Sequence, residues 1–173
     1  MSLKPWREVV KPHKDVSSGG FQQAEFAADL AQVLRGEAQS EYQDPVEFLS
    51  RTYLTQGIKQ LLSEGLKRLS GQDAEPVIQV KTAFGGGKTH AMLSLYHLLQ
   101  SPSKSAKLEH VAAMLSEAGI AEIPRANVAV LVGTALSATG ECQEDATGHG
   151  LSARTLWGEI AAQLGGREAY ELL

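Results

Sequence analysis

The chain has 173 residues, 43% of them apolar and 21% charged, the make-up of an ordinary globular protein with a real core and not of a disordered segment. Its formal net charge of −4 gives no overall attraction to nucleic acid or anionic membrane, and a single cysteine, Cys142, excludes an internal disulfide and suits a reducing compartment. No apolar run approaches the roughly 20 residues that span a bilayer, and Met1 to Trp6 lacks the apolar stretch of a secretory signal, so a soluble cytoplasmic protein is expected.

The first 20 residues carry Pro5, Pro12, Gly19 and Gly20 among charges and read as an extended lead-in. Phe26, Leu30, Val33 and Leu34 then recur at helical spacing from Phe21 to Leu34, with Gly36 as a stop. A second helix has a clear start: Asp44 caps, Pro45 suits the first helical position, and Glu47 stands three residues after the cap. Its stripe of Val46, Leu49, Tyr53, Ile58, Leu61, Leu62, Leu66 and Leu69 predicts one continuous helix out to Ser70-Gly71.

Past the polar turn at Gln72 to Glu75, the period changes. The short, β-branched run Pro76 to Lys81 predicts a strand. Met92, Leu95, Tyr96 and Leu99 mark a helix that stops before Pro102, and Leu108, Val111, Met114 and Leu115 mark another over Ser105 to Ala118, closed by Gly119. Asn127 to Val132 is nearly unbroken apolar sequence, the pattern of a strand buried on both faces. A long polar loop follows over Thr134 to Gly150, and Leu156, Trp157, Ile160, Ala161 and Leu164 predict a last helix ending at Gly165-Gly166.

Strands alternating with helices predict an α/β fold, here a partial parallel P-loop sheet with flanking helices, preceded by an N-terminal helical segment. Residues 1–71 would form the lead-in and helices packed on the core, and residues 72–173 the first part of that core. Two strands are too few for a complete sheet of this kind, so the core is expected to be truncated.

Thr82-Ala83-Phe84-Gly85-Gly86-Gly87-Lys88-Thr89 matches the Walker A pattern G-x-x-x-x-G-K-[ST], except that Thr82 replaces the first glycine. Glycines let the backbone fold tightly so that successive N–H groups face phosphate oxygens. A helix starting near Gly87 adds free N–H groups and a dipole that favours an anion. Lys88 would set an ammonium between the terminal phosphates of ATP, the catalytic contribution expected of this stretch. Thr89 would hold Mg²⁺, and the His90 backbone N–H would add one more phosphate contact. The nucleotide-binding set is therefore Phe84, Gly85, Gly86, Gly87, Lys88, Thr89 and His90. The plain alternative is a glycine-rich turn with no ligand; the strand-like run before it and the apolar helix after it argue for the loop.

With the loop placed, a longer pattern emerges. Lys4-Pro5-Trp6-Arg7-Glu8-Val9-Val10, His13-Lys14-Asp15-Val16, Asp44-Pro45-Val46-Glu47-Phe48 and Arg51-Thr52-Tyr53-Leu54-Thr55 belong to it. So do Phe84-Gly85-Gly86-Gly87-Lys88-Thr89-His90 and Val132-Gly133-Thr134-Ala135-Leu136-Ser137. Together they resemble the start of a family of large prokaryotic AAA+-like P-loop ATPases. That family is long catalogued as a domain of unknown function and often encoded beside DNA methyltransferase or phage-defence genes. The resemblance implies ATP and Mg²⁺ as cofactors, a role in DNA modification or defence, and DNA or a DNA-modifying protein as partner. It also implies a homo-oligomer, and an N-terminal fragment of a longer hydrolase.

Hydrolysis needs an acid at the end of a second strand, but Asn127 to Val132 runs into Gly133-Thr134. This chain alone is therefore expected to bind ATP without turning it over. Thr134 and Ser137 either border the phosphates or simply form loop. Cys142 and His149 are too few for a structural zinc. His97 and His110 read as surface or partly packed, Trp157 as core, and Arg154 and Arg167 as arginine fingers or plain solvated side chains. By the resemblance, Val16 and Phe21 line an adenine pocket; packing explains Phe21 equally well. Beside the ATPase stand two other functions: a nucleotide-dependent scaffold without turnover, and a small P-loop kinase.

Overall fold

The computed structural model describes residues 4–12, 17, 28–83, 85–133, 153 and 155–173. Helix α1, Trp6–Val9, is a single turn on which Trp6, Glu8 and Val9 are exposed. Helix α2, Leu30–Arg35, starts where the Asp29 carboxylate accepts from the N–H groups of Ala31 and Gln32, and ends at Gly36, whose φ of 72° is the left-handed stop that glycine tolerates. Helix α3, Ser40–Gln43, leads into α4, Pro45–Arg51, with the predicted cap: Asp44 Oδ1 accepts from Val46 N at 2.9 Å and Glu47 N at 2.7 Å, and Pro45 opens the first turn. Arg51 reaches Glu41 at 2.7 Å and Glu47 at 3.2 Å, tying α3 to α4.

The long helix expected from Asp44 to Ser70 is in fact two. Helix α4 ends at Arg51, residues 52–55 are non-helical with Thr55 N donating to Tyr53 O at 2.9 Å, and α5, Gln56–Leu69, begins with Thr55 accepting from Ile58 N. The stripe itself contains the break: Tyr53 to Ile58 is a step of five, and Tyr53 is 84% exposed instead of facing the core.

Helix α6, Lys88–Gln100, is the centre of the packing. It contacts α4, α5 and the short α7, Pro102–Ser105, while α8, Glu109–Ala118, packs on α5. The core is built from Phe48, Leu49, Leu62, Leu66, Leu93, Leu98, Val111 and Met114, all essentially inaccessible to water. The helix predicted over Ser105 to Ala118 begins later, at Glu109, and stops as expected at Gly119 with φ 69°. Helix α9, Leu156–Tyr170, is two helical pieces: Gly165 and Gly166 leave helical geometry, so the first piece ends at the glycines as predicted, and a short second one follows them. Trp157, expected in the core, is 70% exposed; the face of α9 that is buried carries Gly158 and Ala162.

The predicted parallel sheet is overturned: among the described residues there is no strand and no sheet, and the architecture is helical. Both runs read as strands lie outside any helix and lack a ladder. Val77, at 71% exposure, and Ile78 lie open to solvent. The backbone of Val130 is matched instead by a side chain: Gln163 of α9 accepts from Val130 N at 2.7 Å and donates to Val130 O at 2.9 Å. β-Branched composition measures fit to a pleated surface, and a strand exists only when a second backbone supplies that surface. A single run of sequence cannot report whether the second is there.

Candidate phosphate-binding loop

The loop joins the non-helical residues 76–83 to the first turn of α6. Gly86 N donates to Ala83 O at 3.1 Å and closes the turn. Gly85 and Gly87 have φ of 77° and 75°, which side-chain-bearing residues rarely adopt. Gly86 is needed for a different reason. A Cβ there would lie 2.6 Å from Thr82 Cβ, 3.0 Å from Ala83 O, and closer still to Thr82 Oγ1. All three glycines are exposed, and α6 begins at Lys88 with Gly87 as its N-cap and no side chain capping its first turn.

Lys88 turns back onto the loop. Its Nζ donates to Thr82 O at 3.0 Å, Ala83 O at 3.0 Å and Thr82 Oγ1 at 3.1 Å. The structure thus brings together Gly85, Gly86, Gly87 and Lys88, with Thr89 and His90 in the same first helical turn. Phe84 lies outside the described residues, as do Val16, Phe21, Thr134, Ser137, Cys142, His149 and Arg154. Arg167 is on α9, where it pairs with Glu171 at 3.9 Å.

The side chain of His90 does something its backbone reading did not foresee. Its Nε2 is 3.0 Å from Thr52 Oγ1, which itself donates to Phe48 O at 2.8 Å. A carbonyl only accepts, so the one hydroxyl proton is committed to Phe48 O, and His90 Nε2 must be the donor to Thr52. The Phe48 ring lies against His90, with ring centres 4.6 Å apart, and against His97 at 4.9 Å. His97 is 1% exposed and donates Nε2–H to Tyr42 O at 2.8 Å; His110 does the same to Leu49 O at 2.9 Å. His97 is therefore a core residue, not a surface one. Three histidines on α6 and α8 thus bond to the segment from α3 to Thr52, and one of them, His90, lies in the helical turn that follows the glycine loop.

Burial pushes His90 below the ordinary imidazole pKa. It does the same to His97, against opposing contributions from the Tyr42 carbonyl and Asp44. Burial favours the neutral ring at both, and in that form the inferred donor roles place the proton on Nε2. Sequence carried a partial signal for the tether: Thr52 and His90 both fall within the quoted blocks, but nothing in spacing says that they meet.

A cavity of about 520 Å³ runs from Lys88 along Met92, Leu95 and Leu99 to the segments at residues 76–80 and 128–131. A hollow of about 670 Å³ between Leu99 and Asn127 has no residue of the loop in its lining. Among the described residues no group of acidic, histidine or cysteine side chains could hold a metal by itself, and no helix is long and apolar enough to cross a membrane.

The family model for the DUF499 N-terminal domain matches residues 1–172. No curated protein matches the chain, and no solved structure matches it.

Proposed function

We propose, from the premise that this chain belongs to the DUF499 family by its N-terminal domain, that residues 85–90 bind the triphosphate of Mg-ATP. One observation carries the reading. Two left-handed glycines lead into a helix start without a side-chain cap, and the ammonium of Lys88 is drawn in against the same loop. Free N–H groups, a helix dipole and a cation converge there, the combination that recognises a polyphosphate. The reading no longer rests on a sheet; it rests on the loop and α6.

Mg-ATP titrated into the chain by calorimetry tests it. Lys88→Ala removes a charge-assisted bond worth about 1.5–3 kcal/mol, so affinity should fall tenfold or more. Equal affinities would refute the assignment. The place of this binding in DNA modification or phage defence is supported by the family resemblance, with hydrolysis as the leading outcome.

A second reading, a nucleotide-dependent scaffold, is favoured by the His90–Thr52 bond. It joins the loop's first helical turn to the end of α4 and gives binding a mechanical route to the N-terminal helices. In the longer hydrolase that the resemblance implies, ATP-dependent protection of α4 from amide exchange with phosphate release at background would select the scaffold. Release abolished by Lys88→Ala would select the ATPase.

A further inference from the structure

Thr82 stands where the glycine-loop pattern has its first glycine, and its side chain is engaged with two parts of the loop at once. Its hydroxyl accepts from Lys88 Nζ at 3.1 Å and donates to Ala83 O at 3.1 Å. Its β-carbon closes over the α-carbon of Gly86, leaving no room for a side chain there. An ammonium has three N–H donors, and those of Lys88 meet three loop acceptors: two backbone carbonyls and the Thr82 hydroxyl. A phosphate oxygen that takes a bond from Lys88 must displace one of them or share its donor. The carbonyls are fixed by the course of the backbone. The hydroxyl, on one rotatable bond, is the acceptor free to leave.

We infer that Thr82 is the affinity-setting residue of this loop. Its hydroxyl holds the third Lys88 donor in the ligand-free chain, and the terminal phosphate of a nucleoside triphosphate takes that donor on binding. The inference rests on the nucleotide reading above and adds a competitor within the protein to it. A glycine at position 82 offers no such group, so the departure from the pattern weakens and tunes binding instead of being neutral. Because the hydroxyl is replaced by a better acceptor, the exchange is selective: a phosphate that reaches Lys88 is rewarded, whereas an adenosine that does not reach it leaves the contact intact.

Two measurements on the whole chain test this, with Thr82→Val removing the hydroxyl at nearly constant shape and Thr82→Ser keeping it. In calorimetry with Mg-ATP, Thr82→Val should bind about three- to tenfold tighter than wild type, as expected for one competing bond at an exposed site. Thr82→Ser should bind like wild type, and adenosine should show no difference among the three. In the ligand-free chain, acetylation of Lys88 by an N-hydroxysuccinimide ester, followed by mass spectrometry, should be several-fold faster in Thr82→Val. Neighbouring Lys81 serves as the unchanged reference.

Equal or weaker Mg-ATP binding by Thr82→Val, where wild-type binding depends on Lys88, overturns the inference and leaves the nucleotide reading standing. Unchanged acetylation of Lys88 overturns the contact itself. Faster acetylation with no Lys88-dependent binding in any variant supports the contact and overturns the nucleotide reading.

Discussion

Replacing Thr52 by valine keeps the shape of the side chain and deletes one oxygen, and that oxygen is a junction. It donates to Phe48 O at 2.8 Å and accepts from His90 Nε2 at 3.0 Å, on a residue only 5% exposed. The backbone N–H of Thr52 bonds to Leu49 O, so it does not substitute for the hydroxyl at Phe48 O. Thr52→Val therefore loses two hydrogen bonds and leaves a carbonyl and an imidazole N–H without their partner. At about 0.5–1.5 kcal/mol net for each bond, with a further penalty for buried groups left unsatisfied, the cost is about 2–3 kcal/mol. For a chain of this size that lowers the melting temperature by about 5–10 °C. Thr52→Ser, which keeps the oxygen and loses a methyl group, should recover more than half of the difference. Thermal unfolding followed by circular dichroism reads the result directly. A Thr52→Val melting point within about 1 °C of wild type would refute the tether and the tautomer assigned to His90.

Gly86→Val should abolish Mg-ATP binding with the helical signal unchanged, because the clash with Thr82 is confined to an exposed loop; global unfolding would mean that the glycine serves packing instead. Stability should also depend on pH. His90 and His97 titrate below the ordinary histidine value when folded, so the unfolded chain takes up protons first as pH falls. Their contribution is whole above about pH 6.5 and declines as pH drops below that toward the folded values. A melting temperature no lower at about pH 5.5 than at about pH 7.5 would contradict the burial assigned to these rings.

What could be read in the sequence was what a residue decides with its immediate neighbours. Asp44-Pro45 set the start of α4, Gly36 and Gly119 ended their helices, and the loop glycines announced a backbone only glycine adopts. What could not be read depended on a partner from elsewhere in the chain. Val77, Ile78 and the apolar run at Asn127 have strand composition, but no ladder forms along either. Trp157 looked like core because an apolar stripe does not say which of its members faces a neighbour; the contact belongs to the small residues Gly158 and Ala162. His97 sits on a helix whose apolar residues surround it, and only the position of the Tyr42 carbonyl makes burial of an imidazole tolerable. The candidate site divides the same way. Gly85 to Lys88 were legible as a motif, whereas the Thr82 and Thr52 contacts appeared only in three dimensions.

The primary amide of Gln163 copies, for one residue, the donor and acceptor that a peptide group would offer to Val130. Because the copy sits on a helix, it cannot be extended to the backbone on either side, so Val130 holds a lock of one residue, beside which Asn127 Nδ2 donates to Leu164 O at 3.3 Å. The lock opens whenever α9 lifts away, whether or not the rest of the chain unfolds. Exchange of the Val130 amide proton with solvent therefore clocks the detachment of α9 alone, on a scale separate from global unfolding. With Gln163→Leu that amide should exchange at the rate of an open loop, while amides in the middle of α6 keep their protection. One backbone proton thus serves as a gauge of how firmly the last helix is held.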